Sequence, residues 1–267
     1  MIDSKIPNTW MDLQNEVSKI FIESGFKSES PKIIETVREK VEVDVYAVDI
    51  SHKPEIVYLC ECKHWKRAIP SEIIRSFRSV VTDFGANLGI IISLKGYQAG
   101  AFKSIRNTNI KLLNWIQFQE LFEERWYENY FLKELSYVNE PLIDYTEPIN
   151  TRVFRKADLL SQSAHEEFRC LRKKYAGIVF FALSLYAPWE SSKPIKLPLD
   201  NNQVMPSEEQ YDLPLDLFEV VAYRDLKDRN LLLPGAIIAI FCYGCQPNIY
   251  PRATLNYIIC HEHGLGS

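Results

Sequence analysis

The sequence predicts an α/β domain, a mixed sheet flanked by helices, followed by a smaller α+β domain, and three features carry that prediction. Between residues 9 and 127, segments with apolar residues at helical spacing alternate with short segments that are either alternating or continuously apolar. From Tyr137 to Asn150 the periodicity lapses around Pro141, Asp144 and Pro148, which marks a linker. A second group of apolar runs then follows, interrupted by a Pro-rich polar stretch that ends at Pro214. The expected division is residues 1–140 and residues 151–267, and 267 residues are enough for each part to bury a core.

In the first part, Thr9 caps a helix with Asp12 three residues on. Trp10, Leu13, Val17, Ile20 and Phe21 recur at helical spacing until Gly25. From Val41 to Ile50 the period changes to two: Val41, Val43, Val45 and Ala47 face one way, Glu42, Asp44 and Tyr46 the other. Ser51 to Pro54 reads as a turn into a second strand, Ile56 to Lys63, so the two strands form a hairpin on which Glu61 and Lys63 share a face. Pro70 and Ser71 start a helix carrying Ile74, Phe77, Val81 and Phe84, which Gly85 ends. Leu88 to Leu94 is a strand buried on both sides. A short helix from Ala99 to Arg106, a strand from Ile110 to Trp115 and a helix from Gln117 to Tyr127 complete this half. In the second part a helix from Ala157 to Lys174 leads into an apolar strand, Gly177 to Tyr186, with further strands at Ala236 to Tyr243 and Thr254 to Cys260.

Composition excludes several classes. A net charge of -4 and a pI near 5.8 do not suit a protein that coats nucleic acid non-specifically, so any nucleic-acid site is a local patch. The longest apolar run, Ala176 to Pro188, is too short for a membrane span. The residues before Trp10 include Asp3, Lys5 and Asn8 and lack a signal-peptide core, and a cytoplasmic location without membrane contact is expected. Six cysteines occur, but the alternation of Cys60 and Cys62 within one strand is not a disulfide framework, and free thiols are expected. Neither a Gly-x-Ser-x-Gly elbow, nor a Walker loop, nor a Gly-x-Gly-x-x-Gly run is present.

The chemistry sits on the hairpin. Asp44 on one strand and Glu61 on the next supply two carboxylates off one face, the ligand type that a hard divalent cation takes. Lys63, two residues after Glu61 and on its face, places an ammonium where it can orient water or stabilise charge building on a phosphate. Around this set the segment from Glu61 to Trp115 holds nine basic residues (Lys63, Lys66, Arg67, Arg75, Arg78, Lys95, Lys103, Arg106, Lys111) against three acids, Glu61, Glu72 and Asp83. His64, Trp65, Lys66 and Arg67 follow the second acid directly and suit a phosphate backbone or an unpaired base. A solvated loop with Trp65 packed down is the other reading of that run. Gln98 stands at a helix start, where it contacts phosphate or only caps the helix. Glu42 shares Asp44's face, and a surface role is the simpler reading for it.

These residues and their element order resemble the PD-(D/E)xK nuclease superfamily, and within it the Mrr-like restriction endonucleases and archaeal-type Holliday junction resolvases, over residues 9–127. Gly89 to Ser93, Gly96 to Ala101 and Ile110 to Leu113 look like the strand, small-residue helix start and closing strand of Mrr-type domains. One departure is that the Gly-Asp-Gly-Gly-Ile-Asp run before the metal acid is replaced by Val41-Glu42-Val43-Asp44-Val45. The resemblance implies catalysis by Asp44, Glu61 and Lys63, with Mg²⁺ or Mn²⁺ held by Asp44, Glu61, the Cys62 carbonyl and Glu16 of the first helix. Glu16 lies at the edge of that helix's apolar face, so reaching the strand and facing water are both open to it. The implied activity is hydrolysis of DNA phosphodiester bonds by an endonuclease in restriction or anti-phage defence, acting as a homodimer or within a larger assembly. An RNA-directed nuclease of the same fold and a catalytically silent scaffold are the alternatives. The second part would then serve targeting or partner binding.

Near the C-terminus Cys242-Tyr-Gly-Cys245 and Cys260-His-Glu-His263 use zinc-ligand vocabulary. If the flanking strands pair as a hairpin, the two pairs lie roughly 20 Å apart, so no structural zinc is expected. Because the first part contains a complete helix, sheet and helix core, a fragment of residues 1–140 is expected to unfold cooperatively on its own. Expression of the fragment and denaturant unfolding check this; an insoluble or non-cooperative product would mean that the two parts share one core.

Overall fold

A computed structural model of the chain describes residues 1–147, 150–186, 194–200 and 215–232. The expected strands at 236–243 and 254–260 and the Cys242 to His263 set lie outside the described residues. A first compact unit runs from Met1 to Tyr130 and a second begins at Phe131.

The first helix, α1 (Trp10–Glu23), opens on the expected reciprocal cap: the Asp12 amide donates to Thr9 Oγ1 at 3.1 Å and the Thr9 amide to Asp12 Oδ2 at 3.0 Å. It ends before Gly25, whose positive φ of 87° turns the chain back. Next come β1 (Lys27–Glu29), β2 (Lys32–Glu35), β3 (Lys40–Val43), β4 (Val45–Asp49) and β5 (Ile56–Lys63). They are followed by α2 (Ser71–Phe84), β6 (Leu88–Ser93), the short α3 (Ala101–Ser104), β7 (Ile110–Leu113) and α4 (Trp115–Trp126). A five-stranded sheet has the order β1-β4-β5-β6-β7, antiparallel from β1 to β5 and parallel from β5 to β7. The β4–β5 hairpin and the parallel crossover through α2 are the expected connections, whereas β1 and β2 were not expected from the sequence.

The larger correction concerns Val41 to Ile50, which is not one strand. The chain bends at Asp44, and β3 leaves the main sheet to pair with β2 in a separate two-stranded sheet. Side-chain parity shows the consequence. Val43 and Tyr46 would face opposite ways on a continuous strand, yet both pack in the cluster of Ile34, Leu59, Phe77, Val81 and Ile91 on the α2 side. Val45 and Ala47 point to the other side. There Ala47 stands opposite Tyr58, whose ring meets Phe21, Phe26 and Phe122 between α1 and α4. Both valines are thus buried, but on different faces.

On the α2 side, Gly89 of β6 is required by close approach: a Cβ there would come within 2.5 Å of Ile110 Cδ1 and 2.6 Å of Val81 Cγ2. At the far end of β4, buried Asp49 accepts from Arg125 of α4 through both carboxylate oxygens, one bond at 2.8 Å. It also accepts from the Ser51 amide at 2.9 Å and the Ser51 hydroxyl at 2.7 Å. The same guanidinium donates to the Ser24 carbonyl at 2.9 Å and lies over the Phe26 ring at 4.0 Å, so one side chain ties α4 to β4 and to the end of α1.

In the second unit the expected linker is helical. A π-helical turn, Tyr127–Phe131, leads into α5 (Leu132–Thr146), which contains Pro141. Leu135, Val138 and Leu142 make a buried stripe, and Asn139 Nδ2 donates to the Val179 carbonyl at 2.9 Å. Pro141 deprives the Tyr137 carbonyl of its helical donor, but Tyr137 lies on the exposed side, which limits the cost. After α6 (Thr151–Ala157), α7 runs unbroken from Gln162 to Tyr186. The expected strand from Gly177 to Tyr186 is therefore the end of this helix, with Ile178, Val179, Phe181 and Ala182 buried. A continuous apolar run fits a buried helix as well as a buried strand, and here packing against α5 decides. A 3₁₀ turn (Leu215–Glu219) and α8 (Tyr223–Leu232) follow. Among the described residues no helix is long and apolar enough to cross a membrane.

Arg125 holds the Asp49 carboxyl well below the usual carboxylate range, with Ser51 assisting. A carboxyl depressed by folding contributes stability that is complete above about pH 4, its ordinary unfolded value, and is withdrawn as pH falls below that toward the folded value. Arg125→Leu is expected to cost roughly 3 kcal/mol at neutral pH, because it leaves the buried Asp49 carboxylate without its guanidinium, with only Ser51 and His52 beside it, and to flatten the acid side of the stability profile. Denaturant unfolding from pH 7 down to acid measures both. A loss under about 1 kcal/mol, the worth of an exposed pair, would show that the clamp is incidental.

Candidate active site

The bend at Asp44 also makes the site. Pairing of β4 with β5 stops at Val45 opposite Cys60, so the last residues of β5 have no strand partner on that side. The Asp44 side chain fills the place: its Oδ2 accepts from the Cys62 amide at 2.6 Å. Amide and carbonyl of one extended residue point to the same side of a strand. Lys63 O accepts from the Leu94 amide on the β6 side, so the Cys62 carbonyl opens onto the Asp44 side with its own amide. The backbone of Asp44 is itself held. Its carbonyl accepts from Gln14 Nε2 of α1 at 2.8 Å and from Ser30 Oγ at 3.0 Å.

Glu61 and Lys63 lie on the Leu59 face of β5, their side chains only 21% and 18% exposed, and form an ion pair. Thus the structure brings Asp44, Glu61 and Lys63 together at one end of the sheet, beside the parallel strand β6. Burial raises the Asp44 pKa, against the pull of the Cys62 amide, Lys63 and Trp10. Burial also raises that of Glu61, and the negative charge of Asp44 adds to it, partly offset by Lys63. Two carboxylates that each disfavour the other's ionisation, joined by an outward-turned carbonyl, are a donor set that fits a hard divalent cation. Among the described residues no three His, Cys, Asp or Glu side chains converge on one point, so such an ion would rely on these two acids and the Cys62 carbonyl. Cys60 and Cys62 are free thiols as expected, buried on the opposite face, where burial pushes both thiols up and keeps them neutral.

The other candidates are distributed around this set. Glu16 is half-buried on α1, its carboxylate 3.9 Å from the Lys19 ammonium. The α1 side chain that bonds Asp44 is that of Gln14. His64 donates from Nε2 to the Pro7 carbonyl at 3.2 Å, which ties β5 to the N-terminal segment. Trp65 is half-buried with the Lys63 ammonium 5.7 Å and the Arg67 guanidinium 5.4 Å from its ring centre. Lys66, Arg67 and Gln98 are exposed. Gln98 serves the scaffold through its backbone: its amide donates to the Ile69 carbonyl, and the Ile69 amide to the Gly96 carbonyl, each at 3.0 Å. The loops after β5 and β6 are thereby laced together. Tyr97 closes this end of the sheet by donating to the Ile91 carbonyl at 2.6 Å, its hydroxyl also 2.9 Å from the Leu113 carbonyl oxygen. Sequence reasoning missed Gln14 and Ser30. Gln14 left one signal, a polar residue beside Leu13 and Val17 on an otherwise apolar face.

Comparison with known families matches residues 8–122 to the Mrr catalytic domain family, described as restriction endonuclease. Comparison with curated proteins gives no match. A crystal structure described as that of a protein of unknown function, AF1548, aligns at a TM-score of 0.37 and 17% identity, over 63% of this chain and 99% of that one. The family match covers the residues of the site: residues 8–122 match a restriction endonuclease domain family, itself part of the PD-(D/E)xK nuclease superfamily.

Proposed function

We propose that the chain is a metal-dependent endonuclease that hydrolyses DNA phosphodiester bonds, in restriction or anti-phage defence, with Asp44, Glu61 and Lys63 as its catalytic set. The observation that carries this reading is the pairing of two largely buried carboxylates, Asp44 and Glu61, with the Lys63 ammonium in one site. Asp44, Glu61 and the Cys62 carbonyl would hold Mg²⁺ or Mn²⁺, which supplies polarisation of the phosphate and a more acidic attacking water.

The remaining work falls to the chain's own groups. Asp44 is oriented by the Cys62 amide, with its backbone held by Gln14 and Ser30, so little rearrangement would be needed for it to serve as a ligand. Lys63 sits on Glu61's face, paired with its carboxylate, a position from which it would donate to a phosphate oxygen or to the attacking water. Lys66, Arg67 and Lys95, exposed on the two laced loops, give the site its local positive rim despite an acidic chain. The family description favours DNA as the substrate. The second unit then selects target or partner.

Cleavage of duplex DNA, single-stranded DNA and RNA with and without Mg²⁺ tests the reading. Asp44→Asn, Glu61→Ala and Lys63→Ala are each expected to lose about 10²-fold or more of Mg²⁺-dependent DNA cleavage. Asn at 44 retains an oxygen for the Cys62 amide, so thermal unfolding should stay close to that of the unaltered chain. Lys63→Ala should keep its affinity for Mn²⁺, while the two acid variants lose theirs. Full activity of the Glu61 and Lys63 variants, with unfolding unchanged, would refute the assignment; cleavage confined to RNA would overturn the choice of substrate.

A further inference from the structure

Two guanidiniums of this chain occupy the same kind of setting. Arg125 lies over the Phe26 ring at 4.0 Å, donates to the Ser24 carbonyl at the end of α1, and has the Asp49 carboxylate as its anion. Arg172 of α7 lies over the Phe154 ring of α6 at 4.6 Å and donates to the Thr146 and Glu147 carbonyls at the end of α5, at 3.5 and 3.4 Å. It has no such carboxylate: among the described residues no acid lies within ion-pair distance of Arg172, and its Nε, shut off from solvent, has no acceptor. A ring and two long bonds to neutral carbonyls hold a guanidinium in place without neutralising it. The result is a half-buried, positioned positive charge whose fork is the shape that takes a carboxylate or a phosphate.

Arg172 does not stand alone. A cleft of about 710 Å³ is lined, among the described residues, by Glu166, Arg169, Cys170, Arg172, Lys173 and Ala176, all on one side of α7. Arg169 and Lys173 are exposed, and among the described residues neither has an ion-pair partner. Three cations therefore face one cleft with a single acid, Glu166, among them. The sequence around them leans the same way: residues 151–175 carry Arg152, Arg155, Lys156, Arg169, Arg172, Lys173 and Lys174 against Asp158, Glu166 and Glu167, in a chain of net charge -4. Arg169 and Lys173 stand at i and i+4, where like charges weaken the helix that bears them. Folding gains nothing from this arrangement, whereas the other end of α7, with Ile178, Val179 and Ala182 buried, carries the packing.

We propose that this side of α7 binds the phosphate backbone of the nucleic acid on which the chain acts, the Arg172 fork holding one phosphate and Arg169 and Lys173 its neighbours. The proposal rests on the nuclease reading for its ligand and gives the second unit a part in it, a contact that senses charge and not sequence. Three cations within about 6 Å of helix axis exceed what one carboxylate neutralises, and a run of phosphodiesters supplies several anions at short spacing.

The test uses the full chain with Arg169→Gln and Lys173→Gln together, exposed positions where a long polar side chain is retained; thermal unfolding is measured on the same preparation. Binding of a fluorescent duplex oligonucleotide is followed without divalent cations, so that nothing is cut, over salt from about 0.05 to 0.2 M. The slope of log affinity against log salt is expected to shrink by about 2, since each phosphate contact contributes about 0.9, and affinity at the lowest salt to fall roughly 10-fold. Lys40→Gln with Lys53→Gln removes the same charge from two exposed residues of the first unit and should leave the slope unchanged. An equal loss in that control would mean that only net charge counts, and would overturn the proposal. So would an unchanged slope in the α7 variant, or a lowered unfolding midpoint with unaltered binding, which would assign the cations to the fold. Binding of the unaltered chain to vesicles of anionic phospholipid and not to the oligonucleotide would give this side of α7 to a membrane surface and overturn it as well. Failure of the nuclease reading looks different: the chain would bind the oligonucleotide with a slope that depends on Arg169 and Lys173, and cut nothing when Mg²⁺ is added.

Discussion

The bend at Asp44 is the constraint on which the domain turns. A strand continuing from Lys40 through Asp49 would pair with β5 along its whole length and consume the Cys62 amide and carbonyl in the ladder. Diverting β3 to β2 instead leaves the end of β5 without a strand partner, and a carboxylate takes the place beside the Cys62 amide. The same diversion brings Val43 and Tyr46 onto one face, which lets the small β2–β3 sheet share the α2-side core. Structure and site are therefore not separable here: the hydrogen bonds that define the bend, from Gln14, Ser30 and the Cys62 amide, are also those that aim the acid.

Electrostatics then explains why such a site is tolerated. A buried carboxylate is costly, and two of them near one another more so. Lys63 and backbone donors offset part of that cost without a metal, which keeps the fold viable while leaving an unmet preference for positive charge. The contrast with Asp49 is instructive. At the other end of the same strand, Asp49 has Arg125 and Ser51 around its two oxygens and a strongly lowered pKa, the signature of an acid that is structurally satisfied. Asp44 and Glu61 are raised instead, the direction found at sites built to receive a cation or a proton.

What was legible in the sequence follows from which forces act locally. The Thr9–Asp12 cap, Gly85 as the end of α2 and the β4–β5 hairpin are written in short-range chemistry, and the structure matches them. Glu61 and Lys63 could be found on one face because alternation holds along β5, and the hairpin brings Asp44 beside them. The bend could not, since Val41 to Val45 keeps perfect alternation and only the competing β2 partner, itself unremarkable in sequence, draws β3 away. In the second unit, the run from Gly177 to Tyr186 carries no period that separates strand from helix, and α5 survives Pro141 because its buried stripe outweighs one lost backbone bond. Glu16 enters through the family resemblance, as the acid of the first helix. Burial singles out Gln14, two residues earlier, whose amide meets a backbone carbonyl that an ionised acid could not serve.

The central claim is that Asp44 and Glu61 form one cation site completed by the bend, and ligand-linked stability tests it without any assumption about substrate. A ligand that binds the folded chain alone raises its unfolding midpoint with concentration. Thermal unfolding in increasing Mn²⁺ should therefore show a steadily rising midpoint for the unaltered chain and a flat response for Glu61→Gln, with Mg²⁺ behaving alike at higher concentration. An unaltered chain whose midpoint ignores both ions, or a Glu61→Gln chain that responds as the unaltered one does, would contradict the account.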